Sequence, residues 1–208
     1  MTDAKDRLRT LPCVTDAVID ALETYEDLLR KWNQSINLVS RETLQNVWER
    51  HFLDSAQVYS LATTHSGLWA DLGSGGGFPG LVVAILGLHS GADMTVTLIE
   101  SDIRKATFLR AVARETGVPV TVISQRIEET PPLGARILTA RALAPLDELL
   151  GFAERHLKHD GEALFQKGAK HRQEQRDALE SWRFRCEEFP SMTDDQAVIL
   201  RISEIARA

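Results

Sequence analysis

The run Leu68-Trp-Ala-Asp71-Leu-Gly73-Ser-Gly75-Gly-Gly77-Phe-Pro79-Gly80-Leu-Val-Val decides the fold. A short apolar segment ends on the acidic Asp71, a glycine-rich turn follows, and Pro79 opens a second apolar segment. Proline is tolerated in the first turn of a helix because its missing N–H would have no partner there. The pattern predicts a strand, a tight turn and a helix N-terminus. Glycines remove Cβ atoms where a ligand must lie against bare backbone, and they permit positive φ at the bend.

One frame of the turn, Gly75-x-Gly77-x-x-Gly80, matches the dinucleotide-binding fingerprint, which is a weak signal alone. The acidic residue before it discriminates better. A pyrophosphate needs the helix dipole and free N–H groups, and a carboxylate at the strand tip would repel it. The sulfonium and ammonium groups of S-adenosylmethionine would instead be attracted. The spacing Asp71-x-Gly73-x-Gly75-x-Gly77 therefore favours S-adenosylmethionine as cofactor. The plainer reading of Asp71 is a hydrogen-bond acceptor that braces the loop.

The 208 residues suffice for one domain with an appendage and a sizeable core. At 43% hydrophobic and 26% charged the composition is that of a globular chain. A formal net charge of -6 argues against sequence-blind binding to duplex DNA, which rests on phosphate neutralisation. It leaves room for one basic face. Cys13 and Cys186 show no metal, redox or disulfide-framework spacing. The longest apolar run, Leu81 to Leu86, is far too short to span a bilayer. The charged N-terminus lacks the apolar segment of a secretory signal, so a cytoplasmic location is expected.

The first dozen residues are charged and are expected to fray. From Thr15, an N-cap, the positions Val18, Ile19, Leu22, Tyr25, Leu29 and Trp32 fall at helical spacing. A second helical pattern runs through Leu44, Val47, Trp48, Phe52, Val58 and Leu61. After the glycine loop a helix covers Gly80 to Leu86. Strands are predicted over 94–100, 119–124, 136–140 and 162–167, with helices over 102–116, 145–158 and 169–182 between and after them. Two extended runs, 184–189 and 197–202, close the chain. Alternation of strand and helix implies a parallel sheet covered on both faces. Two final strands on a short loop imply an antiparallel hairpin, which favours a methyltransferase sheet over a dehydrogenase sheet. The expected fold is thus α/β and Rossmann-like, with a mostly parallel seven-stranded sheet. An N-terminal helical cap (1–66) precedes the core (67–208), the two forming one compact unit.

Glu100 ends the second strand, where a carboxylate can accept both ribose hydroxyls of an adenosine cofactor. That placement serves NAD equally well. Arg126-Ile127-Glu128-Glu129 follows the third strand, at the rim where an adenine would lie. Arg141 follows the fourth strand and could hold a carboxylate or phosphate by a bidentate contact, or form a surface salt bridge. Lys167-Gly168 ends the fifth strand at the same rim. His51, Asp54 and Ser55 are neighbours on one helix face. A hydrolase triad draws on separate elements, so a hydrogen-bonded patch pressing the cap onto the glycine loop is the better expectation. His156 and His159 have no third ligand nearby, so no metal is expected. Basic groups on 104–114 and 167–176 could track nucleic-acid phosphates or simply be solvated helix faces.

Beyond these motifs the chain resembles the bacterial 16S ribosomal RNA guanine-N7 methyltransferases, also called glucose-inhibited division protein B. The resemblance rests on Lys31-Trp32-Asn33-Gln-Ser-Ile-Asn37-Leu38, on Arg50-His51-Phe52-Leu53-Asp54-Ser55 and on the Asp71–Gly80 loop. It continues through Glu100-Ser101, Arg104-Lys105, Phe108-Leu109-Arg110, Arg126-Ile-Glu128-Glu129, Arg141-Ala142 and Lys167-Gly168. It implies transfer of a methyl group from S-adenosylmethionine to a guanosine in the 530 loop of 16S rRNA, position 527 in the usual rRNA numbering. The substrate would be that rRNA in the small ribosomal subunit or its precursor. The resemblance also implies that Gly73, Phe78, Ile127, Glu128 and Arg141 touch the cofactor. With Asp71, Gly75, Gly77 and Glu100 these make up the expected cofactor site, and Lys105, Lys167 and Arg172 are the candidate RNA contacts. Two residues depart from the family pattern. Gly76 stands where many members carry proline or alanine, so a more mobile loop is expected. Lys105 stands where arginine is common, and lysine lacks the planar bidentate contact.

Guanine N7 carries a free lone pair at neutral pH, so the reaction needs no general base. Arg141 is then a positioning group, and alignment of the reactants is worth about 7–11 kcal/mol. Two rivals stay open at this level: an NAD-dependent oxidoreductase, and an RNA-binding module with a vestigial cofactor pocket.

Overall fold

The computed structural model describes residues 4–208. Helix α1 (Ala4–Arg9) stands where fraying is expected; the first three residues lie outside the described residues. Its one leucine, Leu8, is fully buried. Arg7 pairs with Glu49 at 2.8 Å and donates to the Met192 carbonyl at 2.7 Å. A single leucine among charges has no periodicity for a sequence pattern to detect, so only its distant partners fix the helix.

Helix α2 (Asp16–Trp32) starts where its N-cap predicts, with the Thr15 hydroxyl accepting from the Val18 N–H. It buries Val18, Ile19, Leu22, Tyr25 and Leu29 on one face. The second predicted helix is instead three pieces: α3 (Arg41–Gln45), a π-helical turn (Trp48–Leu53) and α4 (Asp54–Leu61). The wider π turn inserts a residue into the helical repeat. Three consecutive side chains, His51, Phe52 and Leu53, can therefore all face inward.

The core follows as β1 (Gly67–Leu72), α5 (Gly80–Ser90), β2 (Met94–Ile99), α6 (Ile103–Thr116), β3 (Val120–Ile123), β4 (Ala135–Arg141) and α7 (Leu146–His156). It ends with β5 (Leu157–Lys167), α8 (His171–Ala178), β6 (Trp182–Pro190) and β7 (Val198–Arg207). The seven strands form one sheet in the order β3-β2-β1-β4-β5-β7-β6. Strands β1 to β5 are parallel, while β7 runs antiparallel to both neighbours. The mostly parallel sheet and its antiparallel end match the expected fold.

Several boundaries differ. Helix α7 stops at His156, and β5 absorbs the Asp160-Gly161 pair that reads as a turn. The strand tolerates it because the β4–β5 register shifts there, between Ala135 and Ile137. Helix α8 is shorter than predicted, and Trp182 belongs to β6. That indole is buried, donates to Asp147 at 2.8 Å and lies under the Arg207 guanidinium at 3.8 Å. These partners are remote in sequence, so tertiary contact overrides the local helical pattern.

The apolar interior lies on both sheet faces. On one, cap residues Leu8, Leu22, Leu29 and Phe52 share a cluster with Trp69, Leu81, Leu98 and Phe108. On the other, Leu146, Leu150, Trp182 and Leu200 pack together. Because the cap and the sheet share apolar contacts, Leu8→Ala is expected to lower the unfolding free energy by about 2–5 kcal/mol. Urea denaturation checks this, and an unchanged midpoint would return α1 to the frayed reading.

Candidate active site

The glycine loop leaves β1 and enters α5 over a floor set by strand register. Asp71 on β1 is the direct neighbour of Thr139 on β4, and the Thr139 hydroxyl donates to its Oδ1 at 2.7 Å. The Ser74 hydroxyl donates to the Asp71 carbonyl at 3.0 Å. Asp71 is fully buried, and its Oδ2 has no partner. Gly80 sits against that oxygen, where an added Cβ would come within 2.7 Å. The carboxylate therefore lies beneath the loop and braces it, lining no cleft. Burial, opposed by the Thr139 bond, pushes its carboxyl up to about 6.

Above this floor Gly73 adopts φ +59°, and a Cβ there would lie 2.6 Å from Leu143. Bare backbone is thus required on the cleft side of the loop. The cleft measures about 400 Å³ and is lined by Gly73, Gly75, Glu100, Ile127, Glu128 and Ala142, with Lys105 at its edge. Glu100 accepts the Gly75 N–H on Oε2 and the Asp102 N–H on Oε1, both at 2.8 Å. Each oxygen keeps a lone pair for further donors. The Ile127–Glu129 segment forms a 3-10 turn supported from below by α7. The His156 Nε2 donates to the Ile127 carbonyl at 3.2 Å, and Arg155 donates to the Thr130 carbonyl at 2.9 Å. The sequence gives no sign of this support, because buried His156 reads as one half of a histidine pair. His159 is exposed, and no group of three metal-ligating side chains occurs among the described residues.

Phe78 lines no cleft. It is buried between two rings, Tyr25 at 5.2 Å and His51 at 4.6 Å between centroids, both near parallel. The Tyr25 hydroxyl donates to the Gly76 carbonyl. A Cβ on Gly76 would lie 3.2 Å from the Leu38 carbonyl, and the Asn33 side chain holds the backbone of Leu38 and Val39. The cap thus clamps the loop at the residue where added mobility is expected.

The Arg141 guanidinium lies 5.0 Å over the Phe78 ring and donates to the Arg50 carbonyl at 3.2 Å and to Asp54 at 3.4 Å. Arg141 lines a second cleft, also about 400 Å³, with Arg50, His51, Asp54, Gln166, Lys167 and the 191–199 segment. Ala142 borders both clefts and holds φ +50°, a left-handed conformation costing a non-glycine residue about 1–2 kcal/mol. The expected hydrogen-bonded patch of His51, Asp54 and Ser55 is corrected. Asp54 bonds to Arg141, Gln166, Ser191 and Thr193, whereas His51 and Ser55 have no partners among the described residues. The Lys167 ammonium is paired with Glu174 at 2.5 Å and donates to the Ala144 carbonyl. Arg172 is exposed.

The raised Asp71 carboxyl carries a pH signature. Protonated Asp71 is favoured in the folded state, so its stabilising effect is complete below about pH 4 and lost as pH rises through about 6. Asp71→Asn removes this dependence. The variant should gain about 2–3 kcal/mol on the parent between pH 4 and pH 7. Urea unfolding at the two pH values tests this, and a pH-independent difference would overturn it.

Comparisons with known proteins follow the same lines. The family model described as rRNA small subunit methyltransferase G (GidB) matches residues 18–198. A ribosomal RNA small subunit methyltransferase G from Ruegeria sp. (strain TM1040) is 50% identical over 194 residues, 93% of this chain and 94% of that protein. The protein of that name from Rhodospirillum centenum is 53% identical over 193 residues, 93% of this chain and 87% of the relative. Among solved structures, a ribosomal protein L11 methylase from Lactobacillus delbrueckii subsp. bulgaricus is similar in fold at TM-score 0.58 and 18% identity. That match covers 77% of this chain and 78% of the other. A TehB-like SAM-dependent methyltransferase from Corynebacterium glutamicum gives TM-score 0.55 at 12% identity, covering 86% and 97%. The sheet is the Rossmann-like methyltransferase sheet. With the family match spanning most of the sequence and half-identity over nearly the whole length of curated relatives, this chain belongs to the rRNA small subunit methyltransferase G (GidB) family.

Proposed function

We propose that the chain transfers the methyl group of S-adenosylmethionine to N7 of the guanosine at position 527, in the 530 loop of 16S rRNA. The observation that carries the reading is the meeting of two clefts at Ala142. One suits an adenosine cofactor and the other has room for a base. S-adenosylmethionine supplies an electrophilic methyl group when bound. The residues fit it: Gly73 gives bare backbone, Glu100 keeps lone pairs for the ribose hydroxyls, and the turn at Ile127 and Glu128 borders the cleft where an adenine edge would lie.

In this reading Gly73, Gly75 and Glu100 hold the cofactor, with Ile127 and Glu128 at its adenine end. The expected cofactor contact Gly77 is instead buried against Tyr25 and Leu81, and its φ of +91° turns the loop from behind. Asp71 and Phe78 act from behind the loop. Asp71 contributes negative charge beneath the cationic end of the cofactor, and Phe78 fixes the loop against the cap. Arg141, held by Asp54 and lying over Phe78, positions the reactants at the junction. Guanine N7 enters with its own lone pair, so no residue need remove a proton. The purine gains positive charge as methylation proceeds, and the half-buried carboxylate of Asp54 favours that charge. Lys105 and the exposed Arg172 are the proposed phosphate contacts, since the Lys167 ammonium is already paired. The family relation and the nucleophile's chemistry favour rRNA over the NAD and vestigial-pocket rivals. No helix among the described residues is long and apolar enough to cross a membrane. We place the enzyme in the cytoplasm with the small subunit or its precursor.

Labelled S-adenosylmethionine and small subunits lacking their own N7 methylation test the assignment. After reduction, aniline cleavage should give a single new cut in the 530 loop. No incorporation into subunits or free 16S rRNA, with S-adenosylhomocysteine binding intact, would overturn the substrate. Glu100→Ala is expected to weaken S-adenosylhomocysteine binding by about 1–3 kcal/mol through lost charged hydrogen bonds. An unchanged dissociation constant in calorimetry would remove Glu100 from the cofactor site.

A further inference from the structure

The cap-side cleft holds two side chains with unmade hydrogen bonds. His51 is 6% exposed, and neither ring nitrogen has a partner among the described residues. Its face rests on Phe78, and both side chains line or back the wall of the cleft shared with Arg141. Burial, then Arg141 and Arg50, lowers its imidazole to about 3. The ring is therefore neutral at working pH and offers one N–H and one lone pair.

Gln166, on β5, lines the same cleft. Its Nε2 donates to Asp54 Oδ2 at 2.5 Å. Asp54 also receives Arg141 and the hydroxyls of Ser191 and Thr193. The Asp54 oxygen accepts from the Gln166 Nε2, which sets the orientation of the amide. Its Oε1 is left buried and without a partner among the described residues. Leaving such an acceptor unmatched is costly, and a ligand N–H would match it.

A purine methylated on N7 must turn its N7 side toward the cofactor cleft. Its Watson–Crick edge, which starts at O6 beside N7 and runs through N1 to N2, then lies along the cleft wall. In guanine that edge presents the O6 acceptor beside the N1–H and N2–H donors. In adenine the central N1 is an acceptor, which would face Gln166 Oε1 with two lone pairs opposed. We propose that His51 and Gln166 together read the Watson–Crick edge of the target base, with Gln166 Oε1 accepting from guanine N1–H or N2–H and His51 donating to O6. The inference rests on the guanine-N7 reading above. It makes Asp54 the residue that positions Gln166, and Phe78 the shelf that positions His51.

Kinetics on small subunits test it, together with S-adenosylhomocysteine binding for each variant. His51→Phe keeps a ring on Phe78 and loses both polar atoms; Gln166→Met keeps the bulk and loses the acceptor. Each is expected to lower kcat/KM by about 10- to 100-fold while leaving the S-adenosylhomocysteine dissociation constant within about twofold. His51→Asn, which restores a donor and an acceptor, should recover part of the loss of His51→Phe. Activity within about twofold of the parent in both variants would overturn the proposal. So would a parallel loss of cofactor binding, or an equal loss in His51→Asn, either of which marks a purely structural role. A parent enzyme that binds S-adenosylhomocysteine but methylates no subunit would instead overturn the guanine-N7 reading, and the inference with it.

Discussion

Phe78 stacked between Tyr25 and His51 is the contact on which the rest of the site depends. One ring comes from α2, one from the π-helical turn and one from the glycine loop. Offset or near-parallel aromatic contacts of this kind add to the burial of their large faces. The stack therefore does more than cover the sheet. With Tyr25 bonded to Gly76 and Arg141 lying on Phe78, the cap sets the position of the loop and the wall of the second cleft together. A cap that drifted from the sheet would open both.

Beneath the loop the structure accepts a cost. Asp71 sits with one oxygen satisfied by Thr139 and the other unpartnered. A buried, half-satisfied carboxylate is destabilising when ionised. Retaining it at the tip of a central strand makes sense where a cationic ligand lies above, because charge in a low-dielectric setting acts strongly over short distances. The strained Ala142 between the two clefts is a second local cost.

The second cleft is assembled from three remote segments. Arg50 donates to the Thr193 carbonyl and pairs with Asp194, and Gln57 bonds with Pro190 and Met192. The β6–β7 connection is thereby tied to the cap. Asp54 gathers donors from β4, β5 and that connection. Such a network resists loss of any single member, since each lost donor would leave the carboxylate less well satisfied.

The sequence alone determined the strand-turn-helix around Asp71–Gly80, the alternation that makes the sheet parallel, and the antiparallel hairpin at its end. Those features are written in local spacing: apolar period, glycine placement and the Thr15 cap. It also placed Glu100, Ile127 and Arg141 at one rim, because segments that follow strand ends on one side of a parallel sheet converge there. Only the tertiary structure decided the others. Leu8 has no local pattern, and Trp182 is drawn into a strand by Asp147 and Arg207. The π turn cannot be read from spacing that suits an ordinary helix. Asp71 has the same position in sequence whether it faces a ligand or Thr139, and strand register selects Thr139 as its neighbour. His51 and Gln166 are far apart in the chain and meet one cleft only because the cap folds back over β5. Local patterns fix the elements, but the pairing of polar groups from distant elements depends on register and packing.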